Sequence, residues 1–88
     1  MKQIRWRPHA RERLVERGID IKLVQEALTR PDQIISRGRQ KIIHKRYYDF
    51  HCRKEYLLRV FIEEHVEERM IRTVYRTSKI AKYWRDKL

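Results

Sequence analysis

The chain has 88 residues, 41% hydrophobic and 40% charged, which leaves room for one domain with a small core. Its single cysteine, Cys52, excludes an internal disulfide and a cysteine-based zinc site. No apolar run approaches the ~20 residues of a membrane helix, and the N-terminus lacks the apolar segment of a signal peptide. We therefore expect a single domain, residues 1–88, in a soluble cytoplasmic protein that makes no membrane contact.

Charge is the strongest feature of the composition. Lys and Arg total 23 against 12 acidic residues, which gives a net charge of +11. Such a surplus attracts polyanions, and arginine in particular makes paired hydrogen bonds to phosphate and stacks on bases. The charge therefore favours binding to nucleic acid, or to an acidic protein partner, over a solvated surface rich in ion pairs. The sequence has one acidic cluster, which a binding face should avoid: Glu63, Glu64, Glu67 and Glu68.

The N-terminal third predicts a short edge strand followed by a helical hairpin. The three elements are Lys2–Trp6, Pro8–Arg17 and Ile21–Thr29. Pro8 suits the first turn of a helix, and Gly18 suits the position just after its end. Asp20 is a natural N-cap for the second helix, which Pro31 stops.

From residue 33 the hydrophobic period changes to that of strands. The predicted strands are Gln33–Ser36, Lys41–Phe50, Tyr56–Ile62 and Glu68–Tyr75. Tyr56–Ile62 is apolar on both faces, which is typical of a central strand covered on both sides. Ser78 would cap a last helix, Lys79–Lys87, that turns Trp84 inwards. The order predicts an α+β domain with a small antiparallel sheet, an N-terminal helical hairpin and a C-terminal helix.

Three stretches of the sequence resemble the RelE/ParE-like toxins of toxin–antitoxin pairs, near the BrnT-type toxins. They are His9–Ile19, Val24–Ile34, and Leu57–Val60 followed by Thr73–Lys79. The resemblance covers nearly the whole chain and implies the β-α-α-β-β-β(-β)-α fold of that superfamily. It also implies a ribonuclease toxin that needs no metal or cofactor and acts on mRNA, free or on the ribosome. The implied partner is an acidic antitoxin encoded by the adjacent gene.

The resemblance also implies roles for individual residues. Arg59 matches an arginine of the central strand, Arg76 one at the end of the last strand, and Tyr83 a catalytic tyrosine of the final helix. The candidate RNA-binding residues are basic side chains on the third strand and the final helix: Lys45, Arg46, Lys79 and Lys82. A non-catalytic module of the same fold, which binds nucleic acid or poisons a protein such as gyrase, is the alternative.

The first helix carries a further candidate row. His9, Arg13 and Arg17 lie at i, i+4 and i+8, on one face, and could bind phosphate with His9 as the titratable catalytic group. A solvated helix face explains the same row.

Arg59 also has two interpretations. An arginine on a covered strand must either open onto a groove or pair with a carboxylate, and the candidate carboxylates are Glu12, Glu16 and Asp32. Tyr75 and Arg76 are adjacent in the last strand, so one faces the helices and the other faces the groove. Core packing is the alternative interpretation of Tyr75.

The remaining titratable residues do not indicate a metal site or a cysteine nucleophile. His44, His51 and His65 have no metal-ligand spacing, and Cys52 lies alone in a predicted loop.

Overall fold

Eight elements follow one another along residues 2–86, the part of the chain that the computed structural model describes. In chain order they are β1 (Gln3–Trp6), α1 (Pro8–Glu16), α2 (Ile21–Thr29), β2 (Gln33–Arg37), β3 (Gln40–Asp49), β4 (Lys54–Glu64), β5 (Glu68–Thr77) and α3 (Ile80–Tyr83). The strands form one sheet in the order β1-β5-β4-β3-β2, so the α+β class is confirmed. β4 is the central strand, as its two apolar faces predicted. No helix within these residues is long and apolar enough to cross a bilayer.

The sheet is mixed, and the prediction of an antiparallel sheet is wrong at one edge. From β2 to β5 each strand is antiparallel to the next, whereas β1 runs parallel to β5. An ion pair joins the two strands, since Arg5 Nη1 lies 3.3 Å from Glu68 Oε2, and Lys2, just before β1, bonds to Glu64 at the end of β4. Alternation along β1 predicts a strand, but it carries no information about the direction of the neighbouring strand.

The helical hairpin forms close to where the sequence predicts it. α1 begins at Pro8 and ends one residue earlier than expected, and Gly18 follows it with a φ of 63°. That left-handed conformation suits glycine and turns the chain into α2. The carboxylate of Asp20 accepts the backbone N–H of Lys22 at 2.9 Å, which confirms the predicted N-cap.

Both helices lie on one face of the sheet and bury the main core against it. The fully buried centre comes from neighbouring strands and from α2: Ile43, Leu58, Val60, Ile71, Val74, Val24 and Ala27. α1 adds Ala10 and Leu14. The core therefore fixes which face of each strand points towards the helices and which points away.

The final helix is much shorter than predicted. α3 is a single turn, Ile80–Tyr83, and the chain is extended at Trp84, with φ −68° and ψ 131°. The extended course lets the side chain of Gln33 bond to both the carbonyl and the N–H of Arg85. A nine-residue helix is marginal by itself, so these contacts with the sheet decide the conformation. Lys87, the predicted helix end, lies outside the described residues.

The start of α3 also differs from the prediction. The N-cap position is Lys79 rather than Ser78, and no side chain caps it. The hydroxyl of Thr77 accepts the backbone N–H of Lys79 at 3.1 Å. This bond lies where the chain turns from β5 towards the face of the sheet opposite the helices.

Candidate nucleic-acid interface

The face of the sheet that points away from the helices carries the candidate site, and we call it the open face. Strand register places three cross-strand neighbours there, His44, Arg59 and Tyr75, because Ile43, Val60 and Val74 beside them point into the helical core. The segment 80–86 covers only one part of this face. The open face therefore has a covered half, around Arg59, and an uncovered half.

Arg59 lies in the covered half, inside a cage of aromatic rings. It is 9% exposed, and its guanidinium donates to His44 Nε2 at 3.1 Å and to the hydroxyl of Tyr75. Its guanidinium carbon lies 4.1 Å from the ring centroid of Tyr83 and 5.1 Å from that of Phe61. The faces of these rings attract the cation and offset part of the cost of burying it.

Arg59 forms no ion pair with a carboxylate in the part of the chain described. The alternative of a pair with Glu12, Glu16 or Asp32 is therefore wrong. Asp32 instead accepts the backbone N–H of Arg46 at 2.7 Å, and Glu12 lies beside His9. The charge of Arg59 is left uncompensated by an acid among residues 2–86.

His44 accepts from Arg59 because burial keeps its ring neutral. The side chain is fully buried, and burial, followed by the positive charges of Arg59 and Arg85, lowers the pKa of His44 to about 4. With Nε2 accepting from Arg59, Nδ1 donates to the side-chain oxygen of Gln33 at 3.1 Å. Both ring nitrogens are thus occupied by structural hydrogen bonds.

The segment 80–86 closes this half of the open face. The ring of Trp84 stacks on that of His44, with centroids 6.4 Å apart, and the guanidinium of Arg46 lies 4.8 Å from the Trp84 ring. Leu57 points to the open face and is fully buried, so other residues must cover it on this face of the sheet. Tyr83 therefore reaches Arg59 from the end of a one-turn helix, not from within a longer one.

Arg76 is not brought to Arg59. It is the cross-strand partner of Leu58, a core residue, so it lies on the opposite face of the sheet. Its Nη1 lies 2.6 Å from Asp49 Oδ2, and its guanidinium carbon lies 4.1 Å from the ring centroid of Tyr56. The hydrogen bond from Arg76 holds the pKa of Asp49 at about 2, and the hydrogen bonds to Tyr47 and Asp49 raise the pKa of Arg76.

The predicted basic pair is split between the two faces. Lys45 lies on the helical side, where its Nζ donates to the carbonyl of Arg30 at 2.9 Å and lies 3.7 Å from Asp32 Oδ1. Arg46 lies on the open face and its Nη2 pairs with Glu55 Oε1 at 2.7 Å. Consecutive strand residues point to opposite faces, so such a pair cannot act at one site.

The predicted row on α1 also lies away from Arg59. His9 is exposed with its Nδ1 3.5 Å from Glu12 Oε2, Arg13 is exposed, and Arg17 donates to the carbonyl of Val74. These residues are on the helical side of the sheet. Lys79 and Lys82 are exposed beside the covered half, and Lys82 Nζ lies 5.3 Å from the ring centroid of Tyr83.

The uncovered half of the open face forms a concavity of about 450 Å³, which we call the trough. Its floor is apolar and consists of Ile35, Ile42 and Phe61. Three arginines line it from different elements: Arg7, Arg37 and Arg72. None of these three pairs with a carboxylate within residues 2–86.

Sequence reasoning missed the arginines of the trough. Arg72 is the extra residue of a β-bulge, because Thr73 pairs with Phe61 while Ile71 pairs with Ile62. Arg7 is held next to it by a bond from its N–H to the carbonyl of Ile71 at 3.1 Å. The only available signal was the apolar second face of the strands.

No three His, Cys, Asp or Glu side chains cluster closely enough to hold a metal ion in the described range. The chemical groups that this face offers are arginine cations, tyrosine hydroxyls and aromatic rings. Such groups bind phosphate and stack on bases.

One family model matches the chain, over residues 6–76, and it is described as Domain of unknown function (DUF4258). No curated protein and no solved structure matches. The matched range contains Arg59, Tyr75 and every residue of the trough named above, and it ends before Tyr83. Because the match covers most of the sequence, the chain belongs to the DUF4258 family.

Proposed function

We propose that this chain is the toxin of a type II toxin–antitoxin pair and cleaves mRNA without a metal ion. The resemblance of the sequence to RelE/ParE-like toxins suggests the class of protein. The observation that carries the proposal is the state of Arg59, a buried cation without an ion pair to an acid in the described residues. A preorganised cation of this kind suits the negative charge that develops at phosphorus during cleavage.

RNA cleavage without metal needs a base for the 2′-hydroxyl, a cation for the phosphorane and an acid for the leaving oxygen. In this proposal Arg59 supplies the cation. The hydroxyl of Tyr75 accepts from Arg59, so its own proton remains free for donation. The ring of Tyr83 packs on the same guanidinium, and in this proposal its hydroxyl oxygen takes the proton of the 2′-hydroxyl as it gives its own proton to solvent, while Tyr75 donates to the leaving oxygen. Arg76, on the other face, has no role in this step.

The trough gives the RNA a route to Arg59. Phe61 belongs to the floor of the trough and also to the cage of Arg59, at 5.1 Å. A strand in the trough therefore lies next to the cage, and its scissile phosphate must extend past Phe61 to reach Arg59. The net charge of +11 supports attraction of RNA to this surface.

The decisive experiment is incubation of the purified protein with RNA in excess EDTA. We expect cleavage by the wild type and its loss in Arg59→Met, which removes the charge but keeps a long apolar side chain. Circular dichroism must show that the variant is folded. Intact RNA after prolonged incubation with the wild type would refute the nuclease.

The proposal includes an acidic antitoxin as partner in the cytoplasm. The same surplus of positive charge that attracts RNA would attract such a partner, and it should be encoded beside this chain. Expression of the chain alone should arrest growth, and co-expression of the neighbouring gene should restore it. Normal growth in the absence of the neighbour would contradict the toxin assignment.

One observation favours a second function, binding without catalysis. His44 is the histidine that contacts Arg59, and both of its ring nitrogens are engaged while its pKa is lowered to about 4. No imidazole base is therefore offered at this cage. A binding module would leave RNA intact but hold it with strong salt dependence, and a gyrase poison would block DNA supercoiling.

A further inference from the structure

We propose that the trough is a binding subsite for single-stranded nucleic acid, with one base on its floor and phosphates on its arginines. The inference deepens the proposed function and rests on it for the identity of the natural ligand as RNA. It assigns base recognition to Phe61, which adjoins the cage of Arg59, and phosphate binding to Arg7, Arg37 and Arg72.

The floor of the trough suits a base. Phe61 is half-buried, and its ring stacks on that of Tyr75 with centroids 5.9 Å apart and planes at 20°, so two rings lie along the sheet. Ile35 and Ile42 continue the apolar floor, and the volume of about 450 Å³ is within the usual range of small-ligand pockets. Aromatic rings on an uncovered sheet face bind unstacked bases in this way.

The rim of the trough suits the phosphates. Arg7 precedes α1, Arg37 ends β2 and Arg72 is the bulge residue of β5, so the three cations approach from separate elements. Lys41 also lines the trough, but its Nζ lies 3.8 Å from Glu64 Oε1. The arginines are the cations of this rim that lack an acidic partner in the described chain, and each can neutralise one phosphate.

An acidic peptide would also be attracted by these arginines. A peptide in extended form gains most by pairing with the edge strand β2, where backbone groups are available. The trough instead offers a flat aromatic and aliphatic floor on the face of the sheet. That floor matches a base better than an acidic side chain, so the observations favour nucleic acid.

The first test compares two ligands on the wild-type protein. One is a fluorescent oligodeoxythymidylate, which lacks the 2′-hydroxyl and so is bound without being cut, and the other is the same strand with abasic sites. Because stacking contributes ~1–3 kcal/mol per base, we expect at least fivefold tighter binding of the strand with bases. Equal affinities would overturn the proposal, and this test needs no variant to fold.

The second test separates stacking from charge. Phe61→Leu should remove the preference for the strand with bases while leaving the salt dependence of binding unchanged. Arg37→Gln and Arg72→Gln should weaken binding of both strands and lower the slope of log K against log salt by about 0.7 each. Lys22→Gln, an exposed charge on α2 behind the sheet, is the matched control and should bind both strands as the wild type does.

Three outcomes distinguish the trough assignment from its alternatives, with oligoglutamate added as a third ligand. If oligoglutamate binds more tightly than either strand, and the arginine variants weaken it, the trough is a protein-partner site and the inference is wrong. If base-dependent binding of DNA is present but RNA stays intact in EDTA, the nuclease fails and the trough assignment stands. If RNA is cleaved but binding shows no preference for the strand with bases, the nuclease stands and the trough assignment fails.

Discussion

Arg59 and His44 are cross-strand neighbours at the centre of the open face, and Arg59 Nε lies 3.1 Å from His44 Nε2. An arginine only donates hydrogen bonds, so the imidazole must accept at Nε2. A proton on that nitrogen would remove the bond and bring two buried cations into contact. The pair therefore exists only while His44 is neutral. Burial, followed by the positive charges of Arg59 and Arg85, lowers the pKa of His44.

This relationship predicts a loss of stability in mild acid. The pKa of His44 is about 4 in the folded protein and about 6.5 when the chain is unfolded. Below pH 6.5 the unfolded chain therefore binds the proton first, and the free energy of unfolding falls until the pH reaches about 4. The total loss from this group is on the order of 3 kcal/mol. Urea titrations at several pH values between 7.5 and 4.5 measure it.

His44→Gln is the matched control for this titration, because its amide oxygen can still accept from Arg59 and it carries no titratable proton. Between pH 6.5 and 5 the variant should lose less stability than the wild type. Identical pH dependence in the two proteins would show that His44 is not held neutral by its contacts.

The proposed chemistry predicts a selective effect of the Tyr83 hydroxyl. Tyr83→Phe keeps the ring that packs on Arg59 and removes only the group proposed to transfer a proton. Cleavage of RNA should fall by about 10²-fold or more, with an unchanged melting temperature and unchanged affinity for the uncleavable oligodeoxythymidylate. Tyr48→Phe, on the exposed end of β3, should cut RNA like the wild type. Full activity of Tyr83→Phe would remove this residue from the mechanism.

The ion pair between Arg76 and Asp49 predicts a structural role for both residues. The pKa of Asp49 is lowered to about 2, so the stability that its charge contributes is present above pH 3.8 and is lost as the pH falls through about 2. Arg76→Gln should lower the melting temperature at pH 7 and leave RNA cleavage per folded molecule unchanged. Asp49→Asn should lower the melting temperature at pH 7 and should lower it much less at pH 2. A folded Arg76→Gln that no longer cuts RNA would return Arg76 to the reaction.

The fold was predictable from the sequence wherever a local pattern decides structure. Asp20 accepts from the backbone two residues on, Gly18 has the left-handed conformation, and the two-sided apolar pattern of β4 marks the centre of the sheet. The parallel direction of β1 and the extended course after Tyr83 were not predictable in this way. Both depend on contacts with residues distant in the chain, with β5 for β1 and with Gln33 and His44 for the segment after Tyr83.

The candidate site was predictable only at its centre. Arg59 stands out because a cation on a two-faced apolar strand needs a special environment, and the structure provides one of rings and a neutral imidazole. Arg76 is separated from Arg59 because it pairs with Leu58, which points to the other face of the sheet. A single sequence does not determine this pairing register. Arg72 depends on a bulge, and no residue pattern within β5 signals that bulge.

The cover of the Arg59 cage gives the last prediction. Trp84 stacks on His44 and lies under the guanidinium of Arg46, so it attaches the segment 80–86 to the open face. Trp84→Ala should lower the free energy of unfolding by roughly 1–3 kcal/mol, because a half-buried indole is lost, whereas Trp84→Phe keeps a ring there and should lose less. Urea titration measures both, and amide exchange at Arg85 reports release of the segment. Unchanged stability and unchanged exchange in Trp84→Ala would mean that the segment does not depend on this ring, and that Arg59 is buried by the sheet and the remaining aromatic side chains alone.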